Sequence, residues 1–462
     1  MWYKWRMNVR KRSRFIIFAI MALAVLAVIG GVIFGIGVRK PGVLLPDTPE
    51  YAAAFPDFVL PAEEPIAPEE NALTYFVQSV DARVSIGNDE QGKPIRFNMF
   101  FEENRTNLAA IAEVLADNEQ VFQLVRQGVQ CRRSVYTESE FYEKPSYEIA
   151  FPFDIHTLFS ARIKYAQDRG DIENALQDIQ TLLAYGRLIR QNAPFFYMNS
   201  GQVIELVGVL RIMELSRDPQ LSERQLKRLL EMLDDMPSFA DSLRNAYKFE
   251  FMVGTKSLDM IASGNRGMKI SSVLGMSFEH ISYYEKFAFR YKFIPGETQM
   301  QMADAYRLKI AEIDKTYADT IRPVIKYSNG SIFNMIFNKN FAGDITAFYL
   351  AGEADDINER HYRENAVISA AKIVVASHLF LRETGRKPLA LDELVPDFLP
   401  SVPSDPYDGA PFRYNPELGV IYTVSKSLTD CGGIVEYDDD VSESRRNNPW
   451  RAKNAVFKIW EE

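Results

Sequence analysis

The chain has 462 residues, of which 53 are Lys or Arg and 62 are Asp or Glu, for a formal net charge of −9. Apolar residues make up 47% and aromatic residues 12%, which excludes a disordered chain because such a composition supports a buried core. The first 40 residues hold eight basic and no acidic side chains, so 45 basic and 62 acidic ones remain beyond them. That acidic surface excludes nucleic acid as a partner.

An uncharged apolar run covers residues 15–38. Its 24 residues are enough to cross a hydrocarbon core of about 30 Å as a helix, and the run is longer than the apolar region of a cleaved signal peptide. Eight basic residues flank it, six before and two after: Lys4, Arg6, Arg10, Lys11, Arg12, Arg14, then Arg39 and Lys40. The positive-inside rule therefore predicts a cytoplasmic basic tail at 1–14, a transmembrane signal anchor at 15–38 in the cytoplasmic (inner) membrane, and a periplasmic or otherwise extracytoplasmic ectodomain.

Prolines recur through residues 39–68, at Pro41, Pro46, Pro49, Pro56, Pro61, Pro65 and Pro68. Proline blocks the helix interior and favours extended backbone. The sequence therefore predicts a Pro-rich linker at 39–68 that lifts the folded part away from the membrane.

Helical periodicity follows and predicts an α-helical ectodomain at 69–350. Its clearest unit is a helical hairpin, with helices at 155–167 and 172–191 joined by the turn Asp168-Arg-Gly-Asp171. The second helix places small and apolar residues inward: Ala175, Leu176, Ile179, Leu182, Leu183 and Gly186. The turn resembles that between tetratricopeptide helices, but without a sustained repeat, which favours a looser layer of helical pairs.

Further helices are predicted along this ectodomain and into the next segment. The segment 104–125 shows one continuous apolar face, and Ser222 with Gln225 forms the pattern of a capping box at a helix start. The remaining predicted helices are 202–215, 222–236, 239–261, 297–321 and 359–384.

Beyond the last helix the composition changes. Residues 385–414 contain a proline-rich loop and the turn Asp405-Pro-Tyr-Asp-Gly409, and Thr429-Asp-Cys-Gly-Gly433 follows a β-rich stretch. Strands are predicted at 412–414 and 420–424, with a third at either 434–437 or 455–460. The fold class predicted for the whole chain is mainly α, with a small C-terminal α+β module at 351–462 that carries a short antiparallel sheet.

Residues 359–437 resemble the C-terminal module of the G-type (major) pseudopilin of type II secretion, as it is also found in large membrane-anchored bacterial proteins. The resemblance implies a long helix, a small sheet and a calcium loop, to which Asp405, Asp408 and Asp430 would contribute oxygen ligands. These aspartates can equally cap turns through their side chains. At the N-terminus, Arg14-Phe15 replaces the pseudopilin Gly-Phe site and no Glu follows, so we expect neither pilin processing nor pilin assembly.

Cys131 and Cys431 both fall in the predicted ectodomain, where they form either a disulfide or two buried thiols. His378 is predicted to be a core histidine. His361 lies near Glu353, Asp355, Asp356 and Glu359, which either bind a metal or form the acidic start of a helix.

The sequence contains no His-Glu-x-x-His, Gly-x-Ser-x-Gly, Cys-x-x-Cys or phosphate-binding loop motif. The function that we predict is therefore a membrane-anchored extracytoplasmic interaction or scaffold protein with envelope protein partners. The alternatives are an extracytoplasmic hydrolase that uses carboxylates brought together by the fold, and an accessory component of a secretion or pilus-like machine.

Overall fold

The computed structural model of the protein describes residues 42–136, 153–263, 293–320 and 338–460, apart from short gaps at 61–63, 65, 89–91, 94, 353–354, 438–440, 442–445 and 447. The predicted cytoplasmic tail at 1–14 and membrane anchor at 15–38 lie outside the described residues. Within them the chain is mainly helical with one small antiparallel sheet, which confirms the predicted class at that level.

The chain divides into two compact units. The described part of the first comprises residues 42–59, 251–263, 293–308 and 338–352, and that of the second comprises 60–136, 153–250, 309–320 and 355–460, with the short gaps given above. This division differs from the predicted boundary between 69–350 and 351–462. The physical reason is that one hydrophobic core extends from Ala72 in the helical part to Ile459 near the C-terminus.

In the first unit, part of the predicted linker is folded. Pro49–Ala54 forms a short helix (α1) that begins at the Thr48 cap. Three aromatic side chains of this segment are 1–2% exposed and pack around Phe251: Tyr51, Phe55 and Phe58. Aromatic burial stabilises residues 49–58 in this compact form, so the prediction of extended backbone is wrong there.

The other helices, in chain order, are α2 (Ala72–Asp81), α3 (Phe97–Glu103), α4 (Leu108–Asp117), α5 (Glu119–Gly128), α6 (Phe153–Asp168), α7 (Ile172–Arg190), α8 (Phe195–Ser216), α9 (Glu223–Asp234), α10 (Phe239–Ala262), α11 (Pro295–Glu312), α12 (Phe341–Gly352) and α13 (Asp355–Thr384). The strands are β1 (Arg413–Asn415), β2 (Val420–Thr423) and β3 (Ala455–Lys458).

The predicted hairpin is present as α6 and α7. The Asp171 side chain accepts a hydrogen bond from the backbone N–H of Asn174 at 3.4 Å and so caps α7. All six residues predicted to face inward from this helix are buried. The periodic apolar pattern was sufficient here because both helices bury one continuous face.

Two glycines let α7 and α8 approach closely. A Cβ atom on Gly186 would lie 2.6 Å from the carbonyl oxygen of Gly201 and 2.8 Å from the backbone nitrogen of Glu205. These obstacles are backbone atoms, so the helices would have to separate to accommodate a side chain.

We therefore expect Gly186→Ala to lower the free energy of unfolding by about 3 kcal/mol, in spite of alanine's better helix propensity. Gly208→Ala is the matched control, because its Cβ would meet mainly the side chain of Leu183, which can move. The control should change stability by about 1 kcal/mol or less. Urea denaturation followed by circular dichroism compares the two, and equal effects would contradict the close backbone crossing.

Several predicted helix ends shift. The capping box of Ser222 and Gln225 is confirmed at the start of α9. The amphipathic segment 104–125 consists of two helices, α4 and α5, because the buried Asn118 side chain between them bonds to the backbone of Val84. α11 ends at Glu312 rather than 321, since the following chain turns to bond the backbone of Pro406 and Tyr407.

α13 is the central helix of the second unit. Among the described residues, its span Asn358–Thr384 has the length and apolarity to cross a bilayer, but 67% of the apolar window is buried inside the protein. Ala370, Ala371 and Val374 are 0% exposed. Burial of this kind is typical of a core helix.

The sheet has the order β1-β2-β3, with both pairs antiparallel. The predicted hairpin pairs Tyr414 with Ile421, and β3 supplies the third strand through Phe457 beside Ile421. Of the two predicted third strands, 455–460 is thus the correct segment and 434–437 is not a strand. Ile421 and Ile459 are 0% exposed, which fastens the sheet into the same core as the helices.

Candidate functional site

The three predicted calcium aspartates come together in the terminal module. The side chain of each accepts a hydrogen bond from a backbone N–H two residues later: Asp405 from Tyr407 at 2.9 Å, Asp408 from Ala410 at 3.1 Å, and Asp430 from Gly432 at 2.9 Å. This is the turn-capping geometry that the sequence left open as the alternative to calcium. The bond from Gly432 lowers the pKa of Asp430, whereas burial raises the pKa of Asp405.

One arginine lies between these carboxylates. The Arg413 guanidinium places Nη1 at 3.1 Å from Asp405, Nη2 at 2.5 Å from Asp408 and Nε at 3.3 Å from Asp430. Among the described residues, no group of three or more His, Cys, Asp and Glu side chains is arranged to hold a metal ion. The predicted calcium ligands therefore do not fit calcium, because a side-chain cation already lies among them.

Sequence analysis treated Arg413 as an ordinary strand residue and missed its part in this cluster. A usable signal was present, since a cation at the start of a strand follows two turn aspartates, five and eight positions earlier.

The two cysteines are free thiols. The Cys131 sulfur lies 3.8 Å from the carbonyl oxygen of Glu69, and the Cys431 sulfur lies 3.7 Å from a carboxylate oxygen of Glu436. Of the two arrangements predicted, the structure therefore shows separate thiols rather than a disulfide.

The two histidines singled out by sequence have structural positions. His378 lies 3.0 Å from the carbonyl oxygen of Ile459, as expected for a core histidine. His361 is 4% exposed and its ring lies 3.1 Å from the amide of Asn365, and burial lowers its pKa to about 4. Neighbouring Glu359 pairs with Arg363 and Lys426 instead of sharing a metal with His361, while Glu353 lies outside the described residues.

A buried charged cluster that sequence analysis missed lies between α7, α8, α10 and α13. Arg190 donates to Glu205 at 2.5 Å, to the hydroxyl of Ser242 at 2.6 Å and to the carbonyl of Pro237 at 3.0 Å. Burial raises the pKa of Glu205 despite this pairing. The sequence signal for this cluster is weak. A charged residue that falls within the apolar stripe of a helix is buried if the stripe is assigned correctly, but a surface charge gives the same pattern if the stripe is assigned one position away.

Glu364 of α13 belongs to the same electrostatic environment. It is 1% exposed, and neither of its carboxylate oxygens accepts a hydrogen bond within the described part of the chain. Burial, together with the nearby charge of Glu205, raises its pKa to about 8 against the attraction of Arg360, Arg190 and Arg363.

An open groove crosses the helical body of the second unit. Its volume is about 640 Å³, and α3, α4, α6 and α8 form its walls. Apolar side chains, among them Phe101, Val207 and Leu210, alternate there with charged ones. Leu210 is 52% exposed and lines the groove together with the partly buried Phe101 and Val207, and an exposed group of apolar side chains is typical of a binding surface.

Comparison of the chain with protein-family models, curated proteins and solved structures gives no match.

Proposed function

We propose that this chain is a membrane-anchored extracytoplasmic protein of the cell envelope that binds another envelope protein through its helical body. The apolar run at 15–38, with basic residues concentrated ahead of it, supports a single-pass anchor in the cytoplasmic membrane with the ectodomain outside the cytoplasm. The observation that carries the binding role is the groove with exposed Leu210.

The residues that line the groove indicate what kind of binding partner would fit it. Two ion pairs are among the lining residues, Lys164 with Asp168 at 2.9 Å and Arg211 with Glu214, and they lie beside the apolar side chains. An amphipathic helix of a partner fits this pattern, because its apolar side can cover Leu210 while its polar flanks meet charges of both signs. The accessory role in a secretion or pilus-like machine is a narrower form of this proposal, in which the partner is another anchored pseudopilin-like subunit.

The carboxylate-dependent hydrolase is less well supported. The carboxylates whose pKa burial raises in the helical body are Asp178, Glu205 and Glu364, and they are 0–1% exposed. Asp178 is held by Arg126 and Arg162, each at 2.8 Å. All three are shielded from solvent inside the helix layer, whereas a general acid or base must reach its substrate.

The test is photo-cross-linking of the full-length protein in intact cells. A photoreactive amino acid replaces Leu210 of α8, Lys164 of α6, both of which line the groove, or Leu389, which is 73% exposed and is not among the residues that line it. We expect the positions at 210 and 164 to give a cross-linked product of the same mass, and 389 to give none of that mass. Protease added outside the cytoplasmic membrane should digest the product.

Two results would contradict the proposal. Cross-linking at 389 that matches the pattern of 210 and 164 would remove the groove as the binding surface. Protection of the product until the cytoplasmic membrane is opened would contradict the predicted topology.

A further inference from the structure

Both carboxylate oxygens of Asp405, Asp408 and Asp430 already have hydrogen-bond or ion-pair partners within the protein. The Oδ1 atoms all cap turns, and those of Asp405 and Asp430 also accept the hydroxyls of Thr423 at 2.6 Å and Tyr422 at 3.0 Å. The Oδ2 atoms all face Arg413. Calcium takes six to eight oxygen ligands, and here the available oxygens are already committed.

The Arg413 side chain is largely buried between the aspartates that it contacts. Its side chain is 20% exposed, between the fully buried Asp405 and the half-exposed Asp430. A guanidinium is planar and presents donors in several fixed directions, which lets one side chain join the two carboxylates of the turn at 405–409 to the one in the loop after β2. A lysine ammonium is a compact point charge and would not reach all three in these positions.

Lys426, in the short segment that follows β2, does not compete for this place. Its ammonium pairs with Glu359 of α13. The lysine thus ties the segment to the long helix, and Arg413 remains the cation among the three aspartates.

We infer that Arg413 does the structural work of a bound cation in this module, and that the module folds and stays folded without calcium. The guanidinium neutralises the buried Asp405 and links the turn at 405–409 with the loop at 428–433. Because the cation is covalently part of the chain, the link does not depend on the calcium concentration outside the cytoplasm.

The experiment measures thermal unfolding of the full-length protein in detergent, with either excess EGTA or millimolar calcium chloride. Four forms are compared: the unaltered chain, Arg413→Gln, Arg413→Lys and the control Arg386→Gln. Arg386 pairs with Glu393 at 2.9 Å in the same module but is 52% exposed, so its loss should shift the midpoint only slightly. Terbium luminescence gives a second readout, because Tyr422 lies beside Asp430 and can sensitise a lanthanide bound there.

We expect the midpoint of the unaltered chain to be the same in EGTA and in calcium, with no sensitised terbium emission. Arg413→Gln should lower the midpoint by about 10 °C, or prevent folding, because it leaves Asp405 buried without its cation. Arg413→Lys should lose most of the same amount. A midpoint of the unaltered chain that rises with calcium would overturn the inference, as would Arg413→Gln that is as stable as Arg386→Gln or Arg413→Lys that is as stable as the unaltered chain.

Discussion

Replacing Arg190 with Met is expected to lower the free energy of unfolding by about 4 kcal/mol, since it leaves the carboxylate of Glu205 in the core without its cation. Both side chains are 0–3% exposed, and Nε lies 2.5 Å from the carboxylate. The substitution also removes the donors to Ser242 and Pro237. Urea unfolding of the full-length protein, followed by circular dichroism, measures the change.

Two further variants separate the lost ion pair from lost packing. Arg187→Met is the matched control, because Arg187 is 40% exposed and lies 4.0 Å from Glu205, so we expect a loss of about 1 kcal/mol or less. The double variant Arg190→Met with Glu205→Leu should recover most of the stability, because no uncompensated charge remains buried. A double variant as unstable as Arg190→Met alone would show that packing, not charge, accounts for the loss.

Replacing Glu364 with Gln should stabilise the protein at neutral and alkaline pH and reduce the pH dependence of its stability. The pKa of this carboxyl is about 8 in the folded protein and 4.5 ordinarily. Between these values the folded state binds more protons than the unfolded state, so the contribution of Glu364 to stability falls as pH rises. At about pH 7.5 the cost is about 4 kcal/mol, and glutamine, which does not titrate, avoids it.

The measurement is the free energy of unfolding at a series of pH values between about 5 and 8. Glu383→Gln is the control on the same helix, because Glu383 is 39% exposed and pairs with Lys227 at 3.2 Å, and it should leave the slope unchanged. We expect the curves of the unaltered chain and Glu364→Gln to meet near the acidic end and to diverge as pH rises. Parallel curves would show that Glu364 is already ionised in the folded protein or is not buried.

The helical hairpin shows which structural features can be predicted from residues that are close in sequence. The bounds of α6 and α7, the Asp171 cap and the inward face of α7 all follow from spacing within about 20 residues. The capping box at Ser222 is equally local. By contrast, Asn118 breaks a helix through bonds to Val84, which lies 34 positions away along the chain, and no periodic pattern signals such a contact.

The terminal module shows the same division. The sequence was enough to predict a β-hairpin and the turns capped by Asp405 and Asp408, because turn residues and alternating strands are local signals. It could not distinguish calcium from Arg413 as the cation, since that choice depends on where the side chain of a strand residue points once the loop at 428–433 has folded beside it.

The sequence by itself determined the helical class, the hairpin and the small sheet, because apolar periodicity and turn chemistry act between near neighbours. Only the tertiary structure decided which charges are buried and what neutralises them. Arg190 meets Glu205 because α7 packs against α8, Asp430 reaches Arg413 from the loop after β2, and Glu364 is buried by the packing around α13. The burial of a charged side chain depends on how the whole unit packs, whereas the apolar periodicity of a helix is a property of its own residues.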